Sequence, residues 1–544
     1  MIFFKMISHA FKILFLVSWF LFFTFYINAQ PTLEWDRFYP QGNEFKAGAH
    51  AMALDDSGNV YVSGYAYNDN NPLLPYFNAF CTIKYSSSGL QQWAVQYRGT
   101  NLGGRYAYAI ALDKYNSVYV AGYSYEGSNY FDFCTVKYNS NGVQQWVRTY
   151  NGPISGIDQA QQITVDIAGN IYVSGFSVNS GNATVKYSPD GNELWVKTFP
   201  YWGDVNGLLT DENCNVYIAF DLVGAAATIK YDSAGNELWT RFYEGYGPRI
   251  GAKSIALDKY NDVYITGYSW RPQIESEYFT IKYSSSGIQQ WLRRFSIDST
   301  QNSQSKANAI AIDDACNIYV SGFTELNASI PKYLTTLKYT INGDLLWIQT
   351  NKESLNSIKT YMTIDKNSNV YAVGQVSLPS PIYWGMGVIK YDSFGTEKWM
   401  TVYESVIPNG INIDNFFNVF LSGKSVSRMC TIKYTQPVGV INTGAEIPKY
   451  FKLYQNYPNP FNPVTKIKFN LPVPQAGLPP SEGLRVRLII YDILGREIKT
   501  LVNEELKPGT YEIDFDGSNY PSGVYFYCLN AYSFIDSKKM ILLR

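Results

Sequence analysis

The chain has 544 residues, with 44 basic and 45 acidic side chains, so its formal net charge of −1 excludes a strong field that would favour nucleic acid or an anionic membrane surface as the main partner. Charged residues make up only 16% of the chain, whereas aromatic residues make up 17%. This composition suits pleated, half-buried strands and predicts an all-β protein.

The first predicted element is a secretory signal peptide over residues 1–29. Lys5 and Lys12 precede an apolar run over residues 13–27, and the small residue Ala29 lies at the expected cleavage point. The run is shorter than the ~20 residues that a membrane-spanning helix needs. We therefore expect an exported protein whose mature form has no stable membrane span.

A sequence unit repeats eight times after this segment. Its first copy reads ALDDSGNVYVSGY from Ala53, then a loop, then CTIKYSSSGLQQW up to Trp93. Each copy predicts four strands, A to D, because short stretches rich in β-branched and aromatic residues alternate with turn residues. The aspartates that end strand A are Asp55, Asp113, Asp166, Asp211, Asp258, Asp313, Asp365 and Asp414.

Two of the four connections keep a fixed length in every copy. From the strand A aspartate to the end of strand B the step is nine residues, as from Asp55 to Gly64, and from the strand C tyrosine to the strand D tryptophan it is eight, as from Tyr85 to Trp93. The B–C connection varies freely. In antiparallel strands the A–B and C–D turns lie at one edge, which we call the constant edge, and the other connections form the variable edge.

Four-stranded repeats of about 50 residues are typical of propeller blades. The eighth copy stops at Tyr434 without a strand D, while residues 33–39 resemble a strand D that has no strands before it. Pairing these two segments would complete a ring and remove an open sheet edge. The sequence thus predicts an eight-bladed β-propeller over residues 30–435, closed by an N-terminal strand.

The repeat resembles the bacterial β-propeller repeats called SBBP, and its Asp-x-x-Gly-Asn-Val-Tyr-Val segment is similar to the NHL type of blade. This resemblance covers residues 33–434 and implies a fold, not an activity.

The C-terminal part has a different pattern. A linker rich in Pro and Gly is predicted over residues 436–449, followed over residues 450–544 by alternating strands at 466–471, 486–491, 511–515, 524–529 and 534–543. These strands predict a small Ig-like β-sandwich.

Several motifs of this part resemble the type A C-terminal sorting domain of type IX secretion cargo in Bacteroidota: YPNPFNP from Tyr457, IYDILGRE from Ile490, SGVYFY from Ser522 and KKMILLR from Lys538. The resemblance implies that residues 450–544 engage the secretion translocon. It also implies that the protein is secreted or held at the outer surface of a Gram-negative cell, with cleavage of the domain left open.

Cysteine and histidine usage argues against disulfides and histidine chemistry. Cys81, Cys134 and Cys430 occupy the same place in successive repeats, too far apart to bridge, so free and mostly buried thiols are expected. The predicted mature chain has one histidine, His50, which we interpret as structural. No cofactor, metal site or catalytic residue is predicted.

Three recurring side chains are interpreted as scaffold. The aspartates are expected to accept main-chain N–H bonds in their own turns, and the tryptophans to pack between blades. The recurring lysines are expected to pair with turn aspartates while their stems pack between sheets. They are Lys84, Lys137, Lys186, Lys230, Lys282, Lys338, Lys390 and Lys433.

The variable edge carries the predicted binding site, because rigid aromatic side chains with polar neighbours suit a polysaccharide or a protein surface. The predicted ligand-binding residues are Tyr76, Tyr125, Trp202, Trp270, Arg271 and Trp384.

Three functions remain open at this point. The first is a non-catalytic, monomeric propeller at the cell surface or secreted, which binds a glycan or protein. The second is a secreted polysaccharide hydrolase or lyase that uses carboxylates such as Asp69, Asp132, Glu275 or Glu277. The third is a mainly structural surface component.

Overall fold

The structure is a computed structural model that describes residues 30–41, 46–67, 78–99, 103–125, 130–153, 156–247, 249–271, 274–297, 303–325, 332–351, 359–378, 380, 384–436, 441–442, 447–473, 484–506, 508–518, 520–532 and 534–543. These residues form strands and turns without any α-helix, which confirms the all-β prediction. No helix among them is therefore long and apolar enough to cross a membrane. The predicted signal peptide lies outside the described residues.

Residues 32–435 form sheets of four antiparallel strands that resemble propeller blades. Strand β1 (Thr32–Tyr39) precedes the repeats and joins the last sheet. Sheet 1 contains β2 (Lys46–Leu54), β3 (Val60–Tyr67), β4 (Ala79–Tyr85) and β5 (Gln91–Tyr97). Sheet 2 contains β6 (Arg105–Leu112), β7 (Val118–Ser124), β8 (Asp132–Tyr138) and β9 (Gln144–Tyr150). Sheet 3 contains β10 (Asp158–Val165), β11 (Ile171–Ser177), β12 (Gly181–Tyr187) and β13 (Glu193–Phe199). Sheet 4 contains β14 (Gly203–Thr210), β15 (Val216–Leu222), β16 (Ala225–Tyr231) and β17 (Glu237–Tyr243).

The later sheets follow the same plan. Sheet 5 contains β18 (Ile250–Leu257), β19 (Val263–Arg271), β20 (Ile274–Tyr283) and β21 (Gln289–Phe295). Sheet 6 contains β22 (Gln304–Ile312), β23 (Ile318–Glu325), β24 (Tyr333–Tyr339) and β25 (Leu345–Asn351). Sheet 7 contains β26 (Thr360–Ile364), β27 (Val370–Ser377), β28 (Trp384–Tyr391) and β29 (Glu397–Glu404). Sheet 8 contains β30 (Ile407–Ile413), β31 (Val419–Ser425) and β32 (Arg428–Thr435), and a single parallel bridge between Ser276 and Gln304 joins sheets 5 and 6.

The first strands of the sheets lie together at the centre. Each contacts the first strand of the next sheet in chain order, and β30 contacts both β26 and β2. Strand β1 pairs antiparallel with β32, from Thr32 opposite Thr435 to Tyr39 opposite Met429. The predicted pairing of the N-terminal strand with the last repeat is therefore present.

The turn aspartates act as predicted. Asp55 Oδ1 accepts the main-chain N–H groups of Ser57 (3.0 Å) and Asn59 (2.9 Å), and Asp55 Oδ2 accepts the hydroxyl of Tyr61 (3.0 Å). This pattern satisfies the donors of a tight turn and ties the turn to the next strand. The same tyrosine bond recurs at Asp113, Asp166, Asp211, Asp258, Asp313 and Asp365.

The tryptophans pack between neighbouring sheets, as predicted. Trp93 lies against Gly142 in the C–D turn of sheet 2, and its Nε1 donates to the carbonyl of Ser140 (3.0 Å). Trp35 on β1 makes the equivalent bond to Ser87 of sheet 1 (3.1 Å), so the closing strand uses the same contact as the other outer strands. The remaining tryptophans with this bond to a main-chain carbonyl are Trp146, Trp195, Trp239, Trp291 and Trp347.

The predicted partner of the recurring lysines is wrong in most sheets. Lys84 lies over the ring of Tyr61, 4.9 Å from its centroid, and donates to the carbonyl of Ser140 in the next sheet. Lys137, Lys186, Lys230, Lys338 and Lys433 bind a turn carbonyl in the same way. Among the described ion pairs, Lys282 alone in this series meets turn aspartates, Asp262 at 3.0 Å and Asp258 at 3.9 Å. Because a main-chain carbonyl oxygen accepts a hydrogen bond from the lysine, the ammonium group does not require a carboxylate partner.

Gln436 replaces a missing turn in sheet 8. The outer strand of sheet 8 is β1, so this sheet has no C–D turn. It therefore lacks the turn carbonyl that would accept hydrogen bonds from the lysine and the tryptophan of sheet 7. The side-chain oxygen of Gln436 instead accepts Lys390 Nζ (2.8 Å) and Trp399 Nε1 (3.2 Å), while its Nε2 donates to the carbonyl of Phe417 (2.5 Å). One side chain thus supplies the acceptor that main-chain carbonyls supply elsewhere.

None of the six cysteines, all of which lie in the described ranges, is joined in a disulfide. Cys81, Cys134, Cys316 and Cys430 are buried, and Cys214 and Cys528 are partly buried.

The C-terminal part contains two four-stranded sheets. One has the order β33 (Ile441–Asn442), β38 (Gly509–Asp516), β35 (Val464–Leu471), β34 (Lys452–Leu453), and the other has the order β37 (Glu497–Leu506), β36 (Leu484–Tyr491), β39 (Gly523–Ala531), β40 (Phe534–Leu542). Residues of both sheets share one apolar core that includes Phe461. Phe461 also exchanges main-chain bonds with Ile541 and Leu543, so the YPNPFNP motif fastens the last strand.

Candidate functional site

The predicted ligand-binding residues are spread around the variable edge. Tyr125 follows β7 and is partly exposed, Trp202 precedes β14 and is 48% exposed, and Trp384 begins β28. Trp270 and Arg271 end β19. Tyr76 lies outside the described residues. These positions belong to different sheets, so they do not form a single site by themselves.

A larger group of aromatic side chains lies near Tyr125, and we call it the aromatic surface. All its members are partly exposed and lie in sheets 1 and 2. Tyr65, Tyr67, Tyr106 and Tyr123 lie at or close to the variable ends of their strands, Tyr125 and Phe131 lie in the adjoining connection, and Tyr108 lies in the middle of β6.

The rings of the aromatic surface form one continuous series of contacts. Ring centroids are 5.1 Å apart between Tyr65 and Tyr106, 5.4 Å between Tyr106 and Tyr123, and 4.8 Å between Tyr123 and Phe131. Tyr125 extends the series at 6.1 Å from Phe131. Rings held against one another in this way lose little further freedom when a ligand binds.

Hydroxyl groups give this surface its polar component. Lys424 of sheet 8 donates to Tyr65 Oη (2.8 Å) across the junction between the first and last sheets. Burial raises the pKa of Tyr106 and of Tyr108, so both remain protonated hydrogen-bond donors at neutral pH. The surface therefore combines apolar ring faces with fixed hydroxyls.

Sequence reasoning found Tyr125 but missed most of this surface, because it placed recognition in the loops between strands. The missed tyrosines lie inside the predicted strands. The available signal was the alternation of Tyr106 and Tyr108 in strand A of the second copy, where other copies carry smaller residues.

His50 has the structural role that was predicted. It occupies a bulge in β2, its Nδ1 lies 2.7 Å from the carbonyl oxygen of Ala107 in sheet 2, and its ring stacks on Tyr108. Asn206 and Asn409 occupy equivalent bulges and donate to Ala252 and Ala49 of their next sheets. Burial lowers the pKa of His50, so the neutral ring is favoured at neutral pH.

A second group of polar side chains lies at the variable edge of sheets 4 to 6, and we call it the charged cluster. Its acidic members are Asp221, Glu275, Glu277 and Glu325, and its basic members are Arg249, Lys253, Arg271, Arg294, Lys306 and Lys332. The predicted residue Arg271 thus belongs to it.

The candidate catalytic carboxylates are differently placed. Glu277 has a side chain that is 1% exposed and lies 3.3 Å from Arg294 and 3.5 Å from Arg271. Glu275 is partly exposed and accepts Gln304 Nε2 at 2.5 Å. Asp132 is buried at the start of β8, and Asp69 lies outside the described residues. Glu277 is therefore engaged by two guanidinium groups and not open to a substrate.

Within the ranges that the structure describes, no three His, Cys, Asp or Glu side chains come together in an arrangement that could hold a metal ion.

Comparison with known proteins gives two results for the chain as a whole. No curated protein matches it. Solved structures with a similar fold include a Dos1 propeller (TM-score 0.46, 9% identity, covering 75% of this chain and 95% of that one) and the β-propeller domain of the Trilobed protease from Pyrococcus furiosus (TM-score 0.39, 9% identity, 61% and 93%). They also include PorZ, a surface component of the type-IX secretion system of Porphyromonas gingivalis (TM-score 0.23, 11% identity, 91% and 81%). Similarity at this level carries no argument about function.

The C-terminal part gives a direct family match. Residues 455–543 match the family described as "Secretion system C-terminal sorting domain", which confirms the sorting domain inferred from YPNPFNP and the later motifs. Such a domain implies an interaction with secretion machinery. Residues 455–543 therefore mark this chain as one that is secreted to the cell surface or the extracellular space of a Gram-negative bacterium.

Proposed function

We propose that the protein is an exported β-propeller of eight blades that acts as a monomer and binds a glycan through the aromatic surface. In this proposal residues 30–435 form the propeller, residues 436–449 the linker, and residues 450–544 an Ig-like domain of the type IX pathway that directs export. The SBBP and NHL resemblance of the repeats belongs to the same proposal. The aromatic surface is the single observation that carries the binding function.

The chemistry of sugars supports a glycan ligand. A sugar ring presents apolar C–H faces and a rim of hydroxyls, and the aromatic surface presents ring faces with phenolic hydroxyls held beside them. Tyr67 and Tyr125 lie at opposite ends of the described series of contacts, which extends over two sheets. A surface of this extent suits several consecutive sugar units better than a single one.

Binding of the purified protein to immobilised polysaccharides tests the proposal. The panel contains laminarin, xylan, dextran, polygalacturonate and dextran sulfate. We expect at least one to bind, and we expect Tyr67→Ala combined with Tyr125→Ala to weaken that binding tenfold or more, because both ends of the surface lose a stacking face.

Tyr115→Ala is the matched control, because Tyr115 is a 73% exposed tyrosine in a turn of the constant edge. It should leave binding unchanged. The proposal is wrong if no polysaccharide of the panel binds, or if Tyr115→Ala weakens binding as much as the paired variant. Capture of a protein by the same surface without any glycan binding would also overturn it.

A further inference from the structure

Two acidic groups of the charged cluster are buried, whereas two of its guanidinium groups are exposed. The side chains of Asp221 and Glu277 are 14% and 1% exposed, whereas those of Arg249 and Arg271 are 71% and 51% exposed. The exposed guanidinium groups place positive charge on the surface of a protein with almost no net charge.

The buried acids position the cations. Asp221 lies 2.5 Å from Lys253 Nζ, and Glu277 holds both Arg271 and Arg294. Burial raises the pKa of Glu277, and the two arginines oppose this effect. Asp221 and Glu277 are each matched by a basic partner, so these two pairs fix the geometry of the cations.

Lys306 lies among the carboxylates Glu275, Glu325 and Asp221, whose charges interact favourably with it without forming an ion pair. Its Nζ lies 4.6 Å from the centroid of the Tyr268 ring, and the ring also has Lys253 Nζ at 5.6 Å. Among the described residues no carboxylate lies within 4.0 Å of Lys306 Nζ. Burial lowers the pKa of Lys306, and Lys332, Lys253 and Arg249 lower it further against the opposing effect of Glu275.

Counting Asp204, which acts on Asp221 and Tyr268, six basic groups thus lie near five carboxylates, so the charged cluster has an excess of positive charge. Such an arrangement favours an incoming anion, because a bound carboxylate or sulfate would relieve the mutual repulsion of these cations. Trp270 is partly exposed and its main-chain N–H donates to the carbonyl of Arg249 (2.8 Å), so this bond joins the end of β19 to the segment that carries Arg249.

We propose that the charged cluster binds an anionic substituent of a polysaccharide, either a carboxylate or a sulfate ester, through Arg249, Lys306 and their neighbours. This inference rests on the proposed glycan-binding function and narrows it to acidic polysaccharides. The aromatic surface then contacts sugar rings, and the charged cluster selects the chains that carry negative charge.

Two pairs of polysaccharides test this proposal, and the two members of each pair share a backbone but differ in charge. Polygalacturonate is compared with its fully methyl-esterified form, and dextran sulfate with dextran, each at 50 mM and 500 mM NaCl. We expect the charged member of at least one pair to bind ten times or more tightly at low salt, with the advantage reduced at high salt. The pair that shows the preference distinguishes carboxylate from sulfate.

Variants test which residues cause the preference for the charged polysaccharide. Arg249→Ala with Lys306→Ala should abolish it, and Lys306→Arg, which keeps the charge, should retain it. Lys366→Ala with Lys398→Ala is the matched control, since it removes the same charge from the constant edge, where both lysines lie in or beside tight turns.

The outcomes separate the two proposals. If charged and neutral members bind equally, or if the constant-edge pair removes the preference as well as Arg249→Ala with Lys306→Ala does, the anionic site is wrong while glycan binding stands. If no member of either pair and no polysaccharide of the earlier panel binds, both proposals are wrong.

Discussion

At the scale of single residues, the contact between a turn glycine and the tryptophan of the preceding sheet is the unit that repeats around the ring. Gly142 has φ of +79°, and a Cβ there would lie 2.7 Å from the ring of Trp93. An L-residue is strained by this backbone conformation and would also collide with the ring. Both the backbone conformation and the contact with the tryptophan ring therefore require glycine at the last position of the Ser-Ser-Ser-Gly type of turn.

Gly142→Ala should lower the free energy of unfolding by about 2 kcal/mol or more, because the backbone strain and the displaced tryptophan add. Urea unfolding followed by tryptophan fluorescence measures the change. Gly224→Ala is the control, since Gly224 has φ of +85° but nothing within 4 Å of the added Cβ. It should cost about 1 kcal/mol from the backbone alone. Equal losses in the two variants would contradict the packing role of Trp93.

Lys390 makes stability depend on pH in a defined direction. Burial lowers its pKa from 10.5 to about 8, so folding disfavours the charged form. Below pH 8 the lysine is charged in both states and this unfavourable effect is complete. As the pH rises from 8 towards 10, the folded state loses the proton first, and the effect diminishes.

The stability of the unmodified protein relative to Lys390→Met should therefore increase between pH 8 and pH 10. Thermal unfolding midpoints of the two proteins, measured at pH 7, 8, 9 and 10, give this difference directly. A difference that stays constant, or that falls over this range, would show that Lys390 is not buried as described.

The hydrogen-bond partner of a side chain was predictable from the sequence where both groups lie within the same turn. The Asp55 bonds follow from the aspartate and the turn sequence alone, and they are present. The partner of Lys84 was predicted wrongly, because the carbonyl of Ser140 belongs to another sheet and every residue type has a carbonyl. No pattern of side chains could distinguish it.

At the scale of elements, the closing strand and Gln436 together complete the last sheet. β1 brings Trp35 to the turn of sheet 1, and Gln436 receives Lys390 and Trp399 from sheet 7. The ring is thereby joined on both sides of sheet 8 by the same pair of donors that joins the other sheets.

Gln436→Ala should lower the free energy of unfolding by about 2 kcal/mol or more, because it leaves buried donors without an acceptor. Urea unfolding again measures the change. Gln436→Glu keeps an oxygen acceptor near Lys390 and should retain most of the stability. Gln92→Ala removes an exposed glutamine and should have no effect. If Gln436→Ala behaves like Gln92→Ala, the side chain does not substitute for the missing turn.

Elements were predicted well where the repeat supplied many copies. The fixed nine- and eight-residue steps set the turns, and the shortened eighth copy indicated the role of β1. Gln436 was assigned to the linker, because it follows the last repeat and has no equivalent in the other copies. Its role depends on the lack of a C–D turn in sheet 8, and this lack becomes apparent only when the sheets are assembled.

At the scale of the whole molecule, the two edges of the sheets have separate roles. The constant edge holds the aspartate turns, the tryptophan contacts and the lysine bonds, which are repeated with little change. The variable edge holds two different surfaces, one aromatic in sheets 1 and 2 and one charged in sheets 4 to 6. The sequence indicated which edge varies, but it could not show which strand ends from different sheets meet there, because that depends on packing between sheets.

Hydrogen exchange with and without a saturating concentration of the preferred acidic polysaccharide, polygalacturonate or dextran sulfate, tests this division most directly. We predict slower exchange at the variable ends of β3, β6 and β7 and of β18, β19 and β22, with no change in the constant-edge turns at residues 55–59 and 139–142. Slower exchange confined to those turns, or no change anywhere at saturation, would contradict the assignment of ligand binding to the variable edge.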